Sequence, residues 1–423
     1  MLNRAGFLEN GAQERRTTVA PTVGVVSKAF CMRLQLVRRA PIIVVALACL
    51  GFGSLYLFLD LNKLHALYYG QDSGIFLQML ARFAHDGSTF NWYERRPHLW
   101  VHDSWILLVL APLVQTFPYQ ETLIAVQVLV VAGSAVVLYY FACVIGVART
   151  PATLLAVAYL ISPSVQAFAY NDFSESYFEP IFIFAFSIAL YRRSFPLSLL
   201  LAQVLLGIKE DIALFMIWFG IIGAIWWDRP LSICIALLAI INAAVWWILP
   251  IIYGYHRWGP TYPSPPNLTD LAFLIEILVP FAFAPLFLGW RTLIALPLLG
   301  ELFLAYYPGN PLARAGVHAT APLISLLAIA TAFALRDRPQ IARWALLGSC
   351  LMALCFNTTV LHIGRHLYRP DPRYEATREV GTTHLPIVYS QNDFSLWSVA
   401  AADINARIIR GKLTEERPAW NTK

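Results

Sequence analysis

The chain has 423 residues, of which 58% are hydrophobic and only 13% charged, with a net charge of +6 and a mean hydropathy of +0.59. A soluble globular chain carries about 25% charged residues, so this composition describes a polytopic membrane protein, for which length says little about domain number. The positive balance does not signal nucleic acid, because the basic residues stand in short clusters between apolar runs, and the six cysteines form no CxxC pair and read as small core hydrophobes.

Residues 1–40 are polar and carry seven Lys or Arg and two acids; they are expected to be a disordered cytoplasmic terminus. The run "PIIVVALACLGFGSLYLFL" (41–59) exceeds a signal-peptide core and predicts an uncleaved signal anchor, N-terminus inside. Further spans are expected at 121–145, 152–169, 177–191, 196–208, 212–227, 230–252, 271–290, 292–307, 319–335 and 343–361. The stretch "SWILLVLAPLVQTF" (104–117) is too short for a crossing and predicts a juxtamembrane or re-entrant helix.

That gives eleven crossings. One side, including the N-terminus, then holds 15 Lys or Arg against 4 acids, and the other holds 7 against 14, with the tail from 362 left aside. A crossing at 104–117 would invert everything after it, so the positive-inside rule favours eleven spans with the tail outside. The predicted organisation is an all-α transmembrane domain over 41–361, with a first outer loop at 61–120, and a small extracytoplasmic tail at 362–423. In the tail "LPIVYS" predicts a strand and "SVAAADINARIIRGK" a helix.

With this topology the chemistry-bearing residues fall at the outer ends of spans. In "YYGQDSGIFLQML", Asp72 precedes an apolar stripe at helical spacing, which predicts an interfacial amphipathic helix. Asp72 is either its N-cap or a chemical group, or both. "GIKEDIALF" places Lys209, Glu210 and Asp211 together between apolar segments, at a cost of roughly 8–10 kcal/mol if all faced lipid; they form either an acidic first turn with a paired lysine or the wall of a polar cavity. "NDFSESYFEP" offers Asp172 and Glu175, otherwise an ordinary polar loop. "RPHLWVHDSW" sets His98 and His102 four apart with Asp103 adjacent, a spacing that permits a divalent metal without fixing a third ligand. Arg257, Arg314 and His318 are outer-loop cations that together suit a phosphate. The sequence has no GxGxxG, Walker loop, GxSxG or HExxH, and hence no nucleotide-binding signature.

An inward first terminus, an acidic outer loop with interfacial helices, and many spans together resemble the GT-C glycosyltransferases. Over about residues 65–335 the chain more closely resembles a bacterial and archaeal membrane family of unknown function. The resemblance rests on "YYGQDSGIFLQM", "HLWVHDSWILLVLAPL", "AYLISPSVQ", "NDFSESYFEP", "GIKEDIAL" and "NPLARAGVHATAPL". The chain departs from that family in lacking a proline shortly after His102 and a histidine before the glutamate of the 171–180 loop. The GT-C resemblance implies transfer of a sugar from a polyprenyl-phosphate donor to a hydroxyl acceptor, on glycan, lipid or protein, at the outer face of a bacterial inner membrane. It implies Asp72 as base, Lys209 or Arg314 holding the phosphate, and Asp172, Glu210 and Asp211 orienting the acceptor or Lys209. The alternatives are a transporter or lipid flippase, or a non-catalytic binder of lipid-linked sugar; the outer placement of the charges and the lack of an internal repeat favour an enzyme.

Overall fold

A computed structural model describes residues 28–252, 268–304, 306–307, 310–311, 318–355, 363–380, 388–390, 394–403 and 405–409. The fold described below is that of the unit from Pro41 onward. Arg257 and Arg314 lie outside the described residues, as does most of the polar N-terminus; His318 begins a short 3-10 turn.

The described chain is mostly helical. Helix α1 (Lys28–His65) starts ahead of the apolar run, and its portion from Ala40 onward has the length and hydropathy to cross a membrane. So do α4 (Gln120–Val144) and the helix that begins at Arg229 and continues to Ile248. A fourth candidate is a bent pair, α5 (Arg149–Ile161) and α6 (Pro163–Tyr170), which meet at 54°. Pro163 causes the bend: it lacks the N–H that would continue the ladder, and Ser162 leaves helical geometry ahead of it.

The other predicted spans are realised as shorter apolar helices. These include α7 (Glu179–Tyr191), α8 (Phe195–Leu206) and α9 (Asp211–Trp226), then, after α10 (Arg229–Ala243, the first part of the long Arg229–Ile248 helix), Leu268–Leu278, Leu296–Leu304, Ala321–Asp337 and Ile341–Cys355. The 104–117 stretch is a 3-10 turn (Trp105–Leu110) running into α3 (Ala111–Thr116). Among the described residues, three helices are long and apolar enough to cross a membrane, or four if the bent pair is one span. Helices α4, α5, α7 and Ala321–Asp337 pack on one another around a continuous apolar core.

Helix α2 (Gln71–Asp86) is the amphipathic helix expected after α1. Its buried stripe includes Ile75, Phe76, Met79 and Leu80. The cap reading of Asp72 is overturned: the N-cap is Gly70, with no side-chain cap, and Asp72 stands in the first turn. An acid there still favours the helix through its dipole, while its carboxylate is spared from capping.

The tail docks on α2. Phe394–Ala400 is helical, but Arg407–Ile409, expected to continue a helix, is a strand paired in parallel with Val388–Ser390. One reason lies in Gln78, whose amide donates to the carbonyls of Asp403 (3.2 Å) and Ala406 (2.8 Å), drawing away acceptors that helix continuation would use. Trp397 is fully buried, and a side chain on Gly74 would meet the Trp397 ring and Ser398 at 2.7–2.8 Å. Ser395 and Ser398 hydroxyls donate to the carbonyls of Tyr69 and Gly70, both at 2.9 Å. The tail thus fixes the turn that starts α2.

Candidate functional site

Three backbone segments converge on the first turn of α2: the C-terminal end of α1, the 171–176 loop after α6, and the 207–210 link between α8 and α9. The 98–103 turn closes the fourth side. The Phe173 amide donates to Ser73 Oγ at 3.1 Å, which seats the 171–176 loop against α2. Asp172 then lies against Gly70: a Cβ at Gly70 would stand 2.0 Å from Asp172 Oδ2. The glycine of "YYGQD" is required there by close approach.

One charged group is Lys63–Asp172. Lys63 Nζ is 3.2 Å from Asp172 Oδ1 and 3.1 Å from the Tyr170 carbonyl, and sits over the Tyr69 ring at 4.3 Å. Both charged side chains keep some solvent contact. Sequence reading missed Lys63, because a lysine at the end of an apolar helix usually serves as a membrane-interface anchor; nothing in "DLNKLH" distinguishes the two cases. Asp60, one turn earlier on α1, is fully buried near Lys63 and Tyr69.

The other group is enclosed. Glu210 Oε1 lies 2.9 Å from His102 Nδ1, and Glu210 Oε2 accepts from the Asp103 amide at 3.2 Å. Burial would lower the His102 imidazole, but the Glu210 carboxylate outweighs it and raises the ring to about 9. Burial would raise Glu210, but the charge and hydrogen bond of His102, with Lys209 behind, hold it at about 2. His102 is therefore an imidazolium at neutral pH, with 31% of its side chain open to solvent. Lys209 is buried, 3.7 Å from Glu175 Oε1 and 3.4 Å from Ser176 Oγ. Burial would lower it, yet Glu175, Asp211 and Glu210 keep it above the usual lysine value.

Asp72 stands between the two groups. Its side chain is crowded by protein yet still exposed to solvent. That partial burial, then the charges of Asp172 and Glu175, push it up to about 6 against the opposing pull of His102 and Lys209. The structure thus brings together Asp72, Asp172, Glu175, His102, Lys209 and Glu210. Asp211 opens α9 on the far side of Lys209, with Oδ1 accepting from the Ile212 amide.

The two histidines do lie together, with ring centroids 5.5 Å apart, but on a 3-10 turn rather than a long helix. His98 is turned to a different acid: its Nδ1 is 2.9 Å from Glu94 Oε2, and its ring meets Phe76 edge-on. Burial would raise Glu94, but the charge and hydrogen bond of His98, and then the Asn91 amide, hold it below the usual range. Among the described residues no three His, Cys, Asp or Glu side chains are grouped to hold a metal ion. The His98–Glu94 pair, too, was not read from sequence, since Glu94 sits in the unremarkable "NWYERRP".

No curated protein matches the chain. The model of one family, described as predicted membrane proteins, matches residues 63–368. That stretch begins at Lys63, contains the whole recess, and ends before the tail segments that clamp α2. With nearly three quarters of its length matched, this membrane protein belongs to the DUF2079 family.

Proposed function

We propose that the protein is an integral-membrane glycosyltransferase of GT-C-like, many-span architecture, facing outward from a bacterial inner membrane. It moves a sugar from a polyprenyl-phosphate donor to a hydroxyl acceptor. The observation that carries this reading is Asp72: an accessible carboxylate raised to about 6, set among partly exposed cations and further carboxylates beside the end of an apolar span. A general base works best with a pKa near the operating pH.

In this mechanism the acceptor oxygen attacks the anomeric carbon. The bond from that carbon to the phosphate oxygen breaks, and Asp72 takes the acceptor's proton. The polyprenyl phosphate leaves as an anion and needs no acid; attack opposite the phosphate inverts the centre. His102, charged by Glu210, and Lys63 offer fixed positive charge to the phosphate. Lys209 is enclosed by Glu175 and Ser176, which suits a supporting role: it holds Glu175, while Asp172 and Glu175 orient the acceptor and Asp211 holds Lys209. The assay supplies radiolabelled polyprenyl-phosphate hexoses and a host lipid extract to the purified protein and its Asp72→Asn variant. Label transferred by the native chain and lost in the variant supports the reading; full transfer by a folded variant overturns the role of Asp72.

One observation favours a transporter as the second reading. Glu179, in α7, is fully buried, and neither of its side-chain oxygens has a hydrogen-bond partner among the described residues. Intramembrane carboxylates often mark proton or substrate pathways. Movement of lipid-linked sugar across proteoliposomes, lost in Glu179→Gln and retained in Asp72→Asn, would select that reading.

A further inference from the structure

The turn from Ala66 to Gly70 joins two residues that the transfer mechanism uses, Lys63 at the end of α1 and Asp72 in the first turn of α2. Its own bonds are few: the Leu67 and Tyr68 amides donate back to the Leu64 and Lys63 carbonyls at 2.9 and 3.0 Å. Leu67 lies at φ 59°, the left-handed region that a residue with a β-carbon adopts at a cost and keeps only where its surroundings impose it. The carbonyls of His65, Tyr69 and Gly70 are bonded from outside the turn, and the tail supplies all three donors. The Asp371 amide donates to the His65 carbonyl at 2.9 Å, Ser395 Oγ to that of Tyr69 and Ser398 Oγ to that of Gly70.

The tail is anchored independently of the serines. Tyr368 donates its amide to Asn62 Oδ1 (2.6 Å) and accepts from Asn62 Nδ2 (3.1 Å). The Tyr374 hydroxyl and Arg378 Nε reach Glu121 Oε1, at the start of α4, at 2.7 and 3.3 Å. Buried Trp397 and the two bonds from Gln78 seat the tail on α2. These contacts suffice to dock it, so the hydroxyls of Ser395 and Ser398 are bonds directed at the turn. Asp371, Ser395 and Ser398 lie beyond residue 368, where the family match ends, whereas the 171–173 loop lies within it. Gly70 is thus held at its α-carbon by Asp172, whose other oxygen pairs with Lys63, and at its carbonyl by the tail.

We infer that the tail is a strap that fixes the spacing of Lys63 and Asp72, with Ser395 and Ser398 as positioning residues for the transfer. The inference rests on the transferase reading and adds residues that act through Asp72 and not on the substrate. A looser turn carries Asp72 out of its crowded setting and away from Asp172 and Glu175, which raise it; the opposing pull of His102 and Lys209 weakens too, but is the smaller influence. The Asp72 carboxylate then titrates below its native value of about 6, toward the ordinary 3.8.

The experiment compares the full-length native chain with Ser395→Ala/Ser398→Ala in lipid nanodiscs, by two readouts. One is transfer from polyprenyl-phosphate hexoses to a host lipid extract; the other is the titration of the Asp72 carboxylate, from infrared spectra with those of Asp72→Asn subtracted. In the double variant kcat should fall about tenfold or more, as misplaced catalytic groups do, with KM for the donor within about twofold because binding is untouched, and the Asp72 titration should move below about 6. Ser395→Thr, which keeps the hydroxyl, should hold both readouts at native values. Ser395→Ala alone, at a partly exposed position, replaces the double variant if that does not fold. Native kcat and native titration in the folded variant would overturn the inference and leave the transferase reading standing. Lost kcat with an unmoved titration would mean general damage to the tail, and would also overturn it. A titration moved by the variant, with no transfer by the native chain from any donor, would count against the transferase reading while the strap's hold on Asp72 stands.

Discussion

Two charged groups flank Asp72, and they are built differently. Around Glu210 every strong charge is matched: His102 and the Asp103 amide take its two oxygens, and Lys209 is enclosed with Glu175. Around Lys63 the match is partial. One ammonium faces Asp172 and the nearby buried Asp60, two tyrosine rings lie against it, and solvent reaches the edge. An enclosed, paired group holds its geometry but has little left to offer a ligand. A half-open group is weaker scaffolding and better placed to bind. Lys209, Glu175 and Glu210 therefore read as support, and Lys63, the more open His102 ring and Asp72 as the working face.

The largest effect separating them is expected at Asp72. In Asp72→Asn, transfer should fall by about 10²–10⁴-fold, the usual value of a general base, with little change in melting temperature, because the side chain is exposed and does not cap α2. The native pH–rate profile should rise through about pH 6 as Asp72 loses its proton and fall near 9 as His102 loses its charge. A profile without the acidic limb would remove Asp72 from the chemistry.

The next effect belongs to the enclosed group and should appear in stability. Glu210→Ala leaves the His102 imidazolium and the Asp103 amide without their acceptor, a loss of about 3 kcal/mol for a buried pair, visible as an earlier thermal transition in detergent. The sign of the pH dependence follows from the folded values. His102 is raised, so its contribution is complete below its ordinary value of 6.5 and fades as pH rises through about 9. Glu210 is depressed, so its contribution is complete above 4.5 and fades toward about 2. Native stability should therefore decline between pH 6.5 and 9, and His102→Gln should flatten that decline. An unchanged slope in His102→Gln would show that the pair does not couple to folding.

The sequence announced the enclosed group more clearly than the open one, for a physical reason. "GIKEDIALF" puts three charges where lipid would penalise them, and that penalty can be read without coordinates. Helix α2 was equally legible from the spacing of Ile75, Phe76, Met79 and Leu80. Lys63 was not, because its environment is made by residues more than one hundred positions away, Tyr170 and Asp172. The same holds for the tail: Ser395 and Ser398 bind the turn before α2 across more than 300 residues, and no local pattern encodes that. Of the two readings of Asp72, the cap is excluded because Gly70 takes the N-cap position, where Asp172 leaves no room for a side chain.

That close approach yields a smaller effect. Gly70→Ala places a methyl on Asp172 Oδ2, so the carboxylate must swing from Lys63 or the turn must open, at about 1–2 kcal/mol, the low end for overpacking. Asp172→Ala in the same background should restore most of the lost melting temperature, since it removes the clashing atoms. If the double variant is no better than Gly70→Ala alone, the strain lies elsewhere in the turn.

The smallest stability effect is expected at Lys63 itself. Its pair with Asp172 leaves only 13% and 24% of the two side chains open, but water still reaches it, and pairs that water reaches contribute about 1 kcal/mol or less. Lys63→Gln keeps the stem on the tyrosine rings and removes only the charge, so the melting temperature should scarcely move. Affinity for a polyprenyl phosphodiester should nevertheless fall about tenfold, equivalent to roughly 1.4 kcal/mol, and the salt dependence of binding should weaken because one screened attraction is gone. The contrast with Glu210→Ala is the test: one variant should lose stability, the other affinity. If Lys63→Gln unfolds the protein as readily as Glu210→Ala and leaves binding untouched, then Lys63 belongs to the scaffold, and the division between a supporting and a working face fails.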